Sequence, residues 1–193
     1  MKSVVLESLQ EAREGLDDLL QNTAMLSCIS DAGQKMTDAV RGGCRIFSCG
    51  NGGSMCDAMH FAEECSGRFR NDRIPLPALA IADASHISCT ANDFGWDKVF
   101  SRYLAAHGRA GDVLVAISTS GKSPNILEAA REAKSRGMTV IALTGKPESE
   151  LGKMADYDVC TPAGKYSDRV QELHIKVLHI FVEIIERGLF SKE

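Results

Sequence analysis

Five short apolar runs, at residues 45–49, 78–82, 113–117, 139–143 and 158–161, recur along the chain at intervals too wide for hairpins. Helical periodicity fills much of the chain between them, notably over 54–65, 97–107 and 124–136. No other feature constrains the fold as strongly, because strand alternating with helix demands a parallel sheet covered on both faces. The expected class is α/β, a three-layer doubly wound fold on a five-stranded parallel sheet. In such sheets ligands bind beyond the carboxyl ends of the strands. Function is therefore expected in the loops at 50–54, 83–93, 118–123, 144–146 and 162–166.

Two helical regions flank that alternation. Residues 3–42 read as two amphipathic helices carrying Leu6, Leu9, Leu16 and Leu19, then Met25, Ile29, Met36 and Val40. Their apolar faces must be buried, and another subunit is an expected partner. Residues 168–187 are apolar on nearly every side of a helix, with Gln171, His174 and His179 as the conspicuous polar members. Such a helix is buried or held between subunits. With no linker or low-complexity stretch, one domain is expected over residues 1–193, with 1–42 used in oligomerisation and 43–193 forming the sheet core and final helix.

The net charge of −4 argues against a nucleic-acid surface. No apolar run approaches the roughly 18–20 residues that cross a bilayer. The start of the chain turns acidic at Glu7, too early for a signal peptide. Seven cysteines without a Cys-x-x-Cys pair fit reduced, mostly buried thiols in a cytoplasmic protein.

Two strand–loop–helix units stand out, Cys49-Gly50-Asn51-Gly52-Gly53-Ser54 and Ile117-Ser118-Thr119-Ser120-Gly121-Lys122-Ser123. Helix starts present free N–H groups to anions. In the second unit, the hydroxyls of Ser118, Thr119, Ser120 and Ser123 exceed what capping needs, so it is the better phosphate cradle. In the first, Ser54 and Asp57 have capping-box spacing, and a helix from there sets Asp57, His60 and Glu64 on one face. The glycines do not complete G-x-G-x-x-G, because Met55 holds the last place. Ala116-x-x-x-x-Gly121-Lys122-Ser123 satisfies only a relaxed P-loop, since Ala116 falls within the strand and Pro124 truncates the donor series. No nucleotide cofactor is expected.

Gly50-Asn51-Gly52-Gly53-Ser54, Ser118-Thr119-Ser120-Gly121-x-Ser123 and the final helix with Gln171 and His179 resemble the SIS (sugar isomerase) family. Asp57-Ala58-Met59-His60, Ser85-His86-Ile87-Ser88, Asn92-Asp93-Phe94-Gly95 and Arg169-Val170-Gln171-Glu172 narrow the resemblance to bacterial phosphoheptose isomerases, over essentially the whole chain. The resemblance implies a homotetramer with active sites at subunit interfaces. It also implies the conversion of sedoheptulose 7-phosphate to D-glycero-D-manno-heptose 7-phosphate, the first step toward ADP-heptose for lipopolysaccharide. Ser118, Thr119, Ser120 and Ser123 would bind the phosphate, and Asn51, Gly52, Gly53, Asn92, Asp93 and Gln171 the sugar. Ser54, Glu64, Arg68 and Asp168 complete the implied substrate contacts. His60, Glu64, Gln171 and His179 would hold one zinc per subunit.

An aldose–ketose isomerase moves a proton between adjacent carbons and adjusts protons on two oxygens, for which a carboxylate base and an imidazole acid suffice. Glu64 is the expected base, with Glu63 as its rival, and His179 the expected acid. Zinc on Glu64 and His179 would compete with those roles, so it either orients them at rest or polarises the substrate. His174, His86 and His107 are expected to be structural. The alternative function is a non-catalytic SIS module that senses sugar phosphates or docks a replication initiator. That class lacks the carboxylate matching Glu64.

Overall fold

The computed structural model describes residues 1–190, and the last three residues of the expected domain, 191–193, lie outside them. The five apolar runs form β1 (Ile46–Gly50), β2 (Ala78–Ala80), β3 (Val113–Ser118), β4 (Thr139–Thr144) and β5 (Tyr157–Cys160). All neighbouring strands pair in parallel, in the order β2-β1-β3-β4-β5. Side-chain alternation splits β3 between two cores. Val113, Val115 and Ile117 point into one, and Leu114 and Ala116 into the other.

The first core is closed by α1 (Lys2–Gln21), α2 (Thr23–Arg41), α3 (Gly53–Ser66) and a final long helix, and it contains Ile29, Met36, Phe61 and Phe181. The second lies under α4 (Ala84–Phe94), α5 (Val99–His107), α6 (Pro124–Ser135) and α7 (Glu150–Met154), with Phe100, Leu104, Ile126 and Ala129 inside. The final helix, α8 (Ser167–Phe190), packs on α2 and α3. The order in which strands are added reverses between β1 and β3, and this switch opens the crevice where doubly wound folds bind ligands. The two marked loops leave those two strands.

Several local expectations give way. Residues 83–93 are mostly helix rather than loop, because the Asp83 carboxylate caps α4 by accepting from the His86 N–H at 2.7 Å. The capping box at Ser54 does not form. Gly52, with φ 55°, is the N-cap of α3, and Ser54 lies buried inside its first turn. The helix expected over 97–107 divides into a 3-10 turn, Trp96–Lys98, and α5. Ala116 lies within β3, as the weighing of the P-loop pattern required. Among the described residues no helix is long and apolar enough to cross a membrane.

Candidate active site

The β1 loop is built for close approach. A Cβ at Gly53 would fall 2.8 Å from Nε2 of Gln171, so the missing side chain lets α8 lay that amide on the loop. Asn51 is already committed: its amide and that of Asn125 exchange two hydrogen bonds of 2.9 and 2.8 Å. Asn125 is buried at the start of α6. This pair bolts the glycine loop to the helix that follows the serine loop.

The β3 loop is built from hydroxyls. Ser118 Oγ lies 3.1 Å from Ser123 Oγ and 3.5 Å from Ser120 Oγ, and the Lys122 N–H donates to Ser120 Oγ at 3.3 Å. Ser123 is the N-cap of α6 with Pro124 at the first helical position, so its hydroxyl is directed to the cradle rather than to a cap bond. Gly121 takes φ 62°, and a side chain there would collide with Ser149. A cavity of about 210 Å³ opens beside this loop, lined by Thr119, Ser120, Lys146 and Lys165 among others. Hydroxyls converging on a helix start, with two ammonium groups near, suit a phosphate.

The titratable centre lies between α3 and α8. His60, Glu64 and His179 each bring a ligand atom within 4.8 Å of the others. His60 Nδ1 donates to Glu63 at 2.9 Å, which directs the lone pair of Nε2 inward. That Nε2 lies 2.8 Å from Nε2 of His179 and 3.5 Å from Glu64. One of the two rings supplies the hydrogen between them, and loss of that hydrogen would free both nitrogens for a metal. Glu64 is 19 % exposed and faces the histidines, whereas Glu63 is 64 % exposed and holds the far side of His60. The spacing left these two acids as rivals, and their positions differ plainly. His179 packs edge-on to His60 and beside Phe69. Burial, and then the neighbouring His60, lower its pKa. One turn before His60, burial raises the carboxyl pKa of Asp57, and one of its oxygens has no partner.

Two inward imidazole nitrogens and a carboxylate, with one ring oriented from behind by a second carboxylate, match the donor chemistry of a zinc site. Gln171 is not in that group. It rests on Gly53, eight residues or about 12 Å along the helix from His179.

The other expected residues stand apart in this chain. Arg68 is exposed and pairs with Asp72 at 3.3 Å. Asp168 is exposed in the first turn of α8, 3.5 Å from Arg169. Asn92 donates to Asp93 at 2.7 Å, near the end of α4, which packs on α5 and the 3-10 turn. Among the described hydrogen bonds none joins Asn92 or Asp93 to either loop. His174 is buried and donates to the Thr144 carbonyl, with its pKa pushed down to about 4 by burial. His86 donates to the Val99 carbonyl, and His107 stacks near Tyr103. Sequence reasoning missed Asn125, Lys146 and Lys165. An asparagine directly after Ser-Pro, and lysines in loops at strand ends, were the available signals.

The SIS domain family matches residues 9–145. A phosphoheptose isomerase from Cytophaga hutchinsonii is 49% identical over 189 residues, spanning 98% of this chain and 99% of that protein. The structure of phosphoheptose isomerase GmhA from Neisseria gonorrhoeae superposes with a TM-score of 0.89 at 35% identity, covering 96% of this chain and 98% of that one. The Vibrio vulnificus NanR protein, solved with ManNAc-6P, shares the fold at 16% identity with a TM-score of 0.68, over 96% of this chain and 63% of that one.

Proposed function

The chain belongs to the SIS-domain family, among its phosphoheptose isomerases, and from that premise we propose how its residues divide the work. It is a sugar-phosphate isomerase converting sedoheptulose 7-phosphate to the aldose D-glycero-D-manno-heptose 7-phosphate. The observation that carries the reading is the pairing of a hydroxyl cradle at the end of β3 with a carboxylate–imidazole centre between α3 and α8.

In this reading Ser118, Thr119, Ser120 and Ser123 hold the phosphate. Asn51, Gly52, Gly53, Ser54 and Gln171 line the sugar. Glu64 removes a proton from C1 of the ketose, the electron pair forms the C1–C2 double bond of an enediol, and Glu64 returns the proton to C2. His179 protonates the C2 oxygen as the enediol forms and takes the hydroxyl proton from the C1 oxygen as the aldehyde appears. His60, held by Glu63, keeps the His179 ring in line.

His60, Glu64 and His179 would hold a zinc ion, whereas Gln171, the fourth expected ligand, rests on Gly53 outside that group. When bound, the metal would supply a Lewis acid for the substrate oxygens. Chelation should then lower activity or melting temperature, and unchanged values in metal-free protein would remove zinc from the reading.

A homotetramer with active sites at subunit interfaces is part of the same proposal, as is a single cytoplasmic domain in which residues 1–42 serve assembly. Its support is the apolar surface that one chain leaves open. Val4, Val5, Leu6 and Leu9 are exposed on α1, and Leu16, Leu20 and Ile180 line an apolar groove of about 320 Å³. Arg68, Asn92, Asp93 and Asp168, which one chain leaves outside the centre, would meet substrate at such an interface.

The test is direct: incubate the protein with sedoheptulose 7-phosphate and follow the aldose product. Turnover supports the reading. Binding of the sugar phosphate by assembled protein without turnover would favour a sensor.

A further inference from the structure

Helix α3 ends at Ser66 with Gly67 as its cap, but Gly67 has φ −86° rather than the left-handed conformation that usually closes a helix. Its last carbonyls therefore need another donor. Arg73, seven residues past the helix, supplies it. Nη2 donates to the Glu64 carbonyl at 2.7 Å, and Nη1 donates to those of Cys65 at 2.6 Å and Gly67 at 2.7 Å. Nε donates to Glu186 at 3.0 Å. The two charged side chains are 2 % and 6 % exposed.

Glu186 lies on α8 seven residues after His179, two turns along the same face. A single planar guanidinium thus ties the backbone of Glu64 to the helix that carries His179. It ties together the two helices whose side chains must meet within hydrogen-bond distance. A cation at a helix C-terminus is also favourable in itself, and the fork geometry matches several acceptors as an ammonium cannot.

We propose that Arg73, with Glu186 as its counter-charge, is a positioning residue of the isomerase, setting the separation of Glu64 and His179 from behind. This role presupposes those two residues as the proton-transfer pair. Among the described hydrogen bonds Arg73 makes none to the Ser118–Ser123 cradle, so phosphate binding should survive its loss. Misplacing a reacting group by about 1 Å can cost on the order of 100-fold in rate.

The test compares Arg73→Lys and Arg73→Ala with the wild type and with Glu64→Gln, measuring kcat, KM for sedoheptulose 7-phosphate and melting temperature. Arg73→Lys should lower kcat per folded protein about ten- to a hundredfold with KM changed less than about threefold. The groove lined by Arg70, Asp72, Arg187 and Phe190 opens onto Arg73. Millimolar guanidinium should therefore restore part of the kcat per folded protein of Arg73→Ala, whereas a purely structural role would change only the folded fraction. Wild-type kcat per folded protein in Arg73→Lys, with Glu64→Gln inactive, would overturn the positioning role and leave the reading of the centre intact. An active Glu64→Gln would overturn both. Should Arg73→Ala fail to fold, the kcat–KM split of Arg73→Lys decides.

Discussion

The β1 and β3 units are the same piece of architecture used in opposite ways. Each leaves the sheet at the crevice between β1 and β3 and turns into a helix. After β3 the turn is packed with hydroxyls that converge on one another, and the helix behind it contributes its N-terminus. After β1 the turn is stripped to glycine, so that Gln171 can lie on its backbone, and the helix behind it contributes side chains two and three turns along. In the proposed reading one unit holds an anion, and the other delivers chemistry. The Asn51–Asn125 amide pair keeps the two in register, which is what a reaction on one end of a phosphate-anchored chain requires.

Perturbations of the two units should separate cleanly. At the centre that the β1 unit shares with α8, His179→Gln should lower kcat by about 10²- to 10⁴-fold, the usual range for a lost acid–base group, with KM little changed. A matching rise in KM instead would assign His179 to binding.

The other α8 histidine, His174, should report in stability rather than rate. Its folded pKa of about 4 lies below the unfolded value near 6.5, so the unfolded chain binds the extra proton first. The stabilisation from burying the neutral ring is full above about pH 6.5, falls as pH drops, and is lost below about pH 4, by about 3 kcal/mol in all. Thermal melts from pH 7 to pH 4 should show that fall flattened in His174→Gln, while an unchanged profile would exonerate His174.

On the β3 side, Ser118→Ala with Ser123→Ala should raise KM about 10- to 100-fold, as expected for lost hydrogen bonds to a charged group, while kcat changes less. A fall in kcat at constant KM would erase the contrast between the loops. The smallest effect is expected at the bolt. Asn125→Ala strands the Asn51 amide and should cost about 1–2 kcal/mol in denaturant melts. If the bolt matters for register, kcat/KM falls in Asn125→Ala although neither loop has lost a contact residue. Wild-type kcat/KM in Asn125→Ala would show the loops to be independent.

Much of this was legible in the chain because the signals are periodic or local. Apolar runs at parallel-sheet intervals are long-range consequences of one face-covering rule, and they placed all five strands. The hydroxyl cluster at Ser118–Ser123 and the α3 face bearing His60 and Glu64 follow from local spacing. Other features were not legible. Helix α4, capped by Asp83, occupies a segment between two strands where the doubly wound pattern calls for a ligand loop. The start of α3 is set by the positive φ of Gly52, which displaced the expected Ser54 cap. Spacing from His60 favours Glu64 over Glu63 only mildly, and the two separate plainly once α8 is in place. Arg73 and Asn125 act across long chain separations, and the local mark of Asn125 after Ser-Pro does not reveal its partner. The positions matching Arg68, Asn92, Asp93 and Asp168 came from resemblance, and a single chain does not gather them.

The most direct measurement follows sedoheptulose 7-phosphate by proton NMR in deuterium oxide with the wild type and with Glu64→Gln. The wild type should form the aldose and exchange hydrogen at the reacting carbons through the enediol. Glu64→Gln should broaden the substrate signals, reporting binding through the intact serine loop, yet yield neither product nor exchange. Exchange or product in Glu64→Gln at the wild-type rate would contradict the division of labour between the two loops.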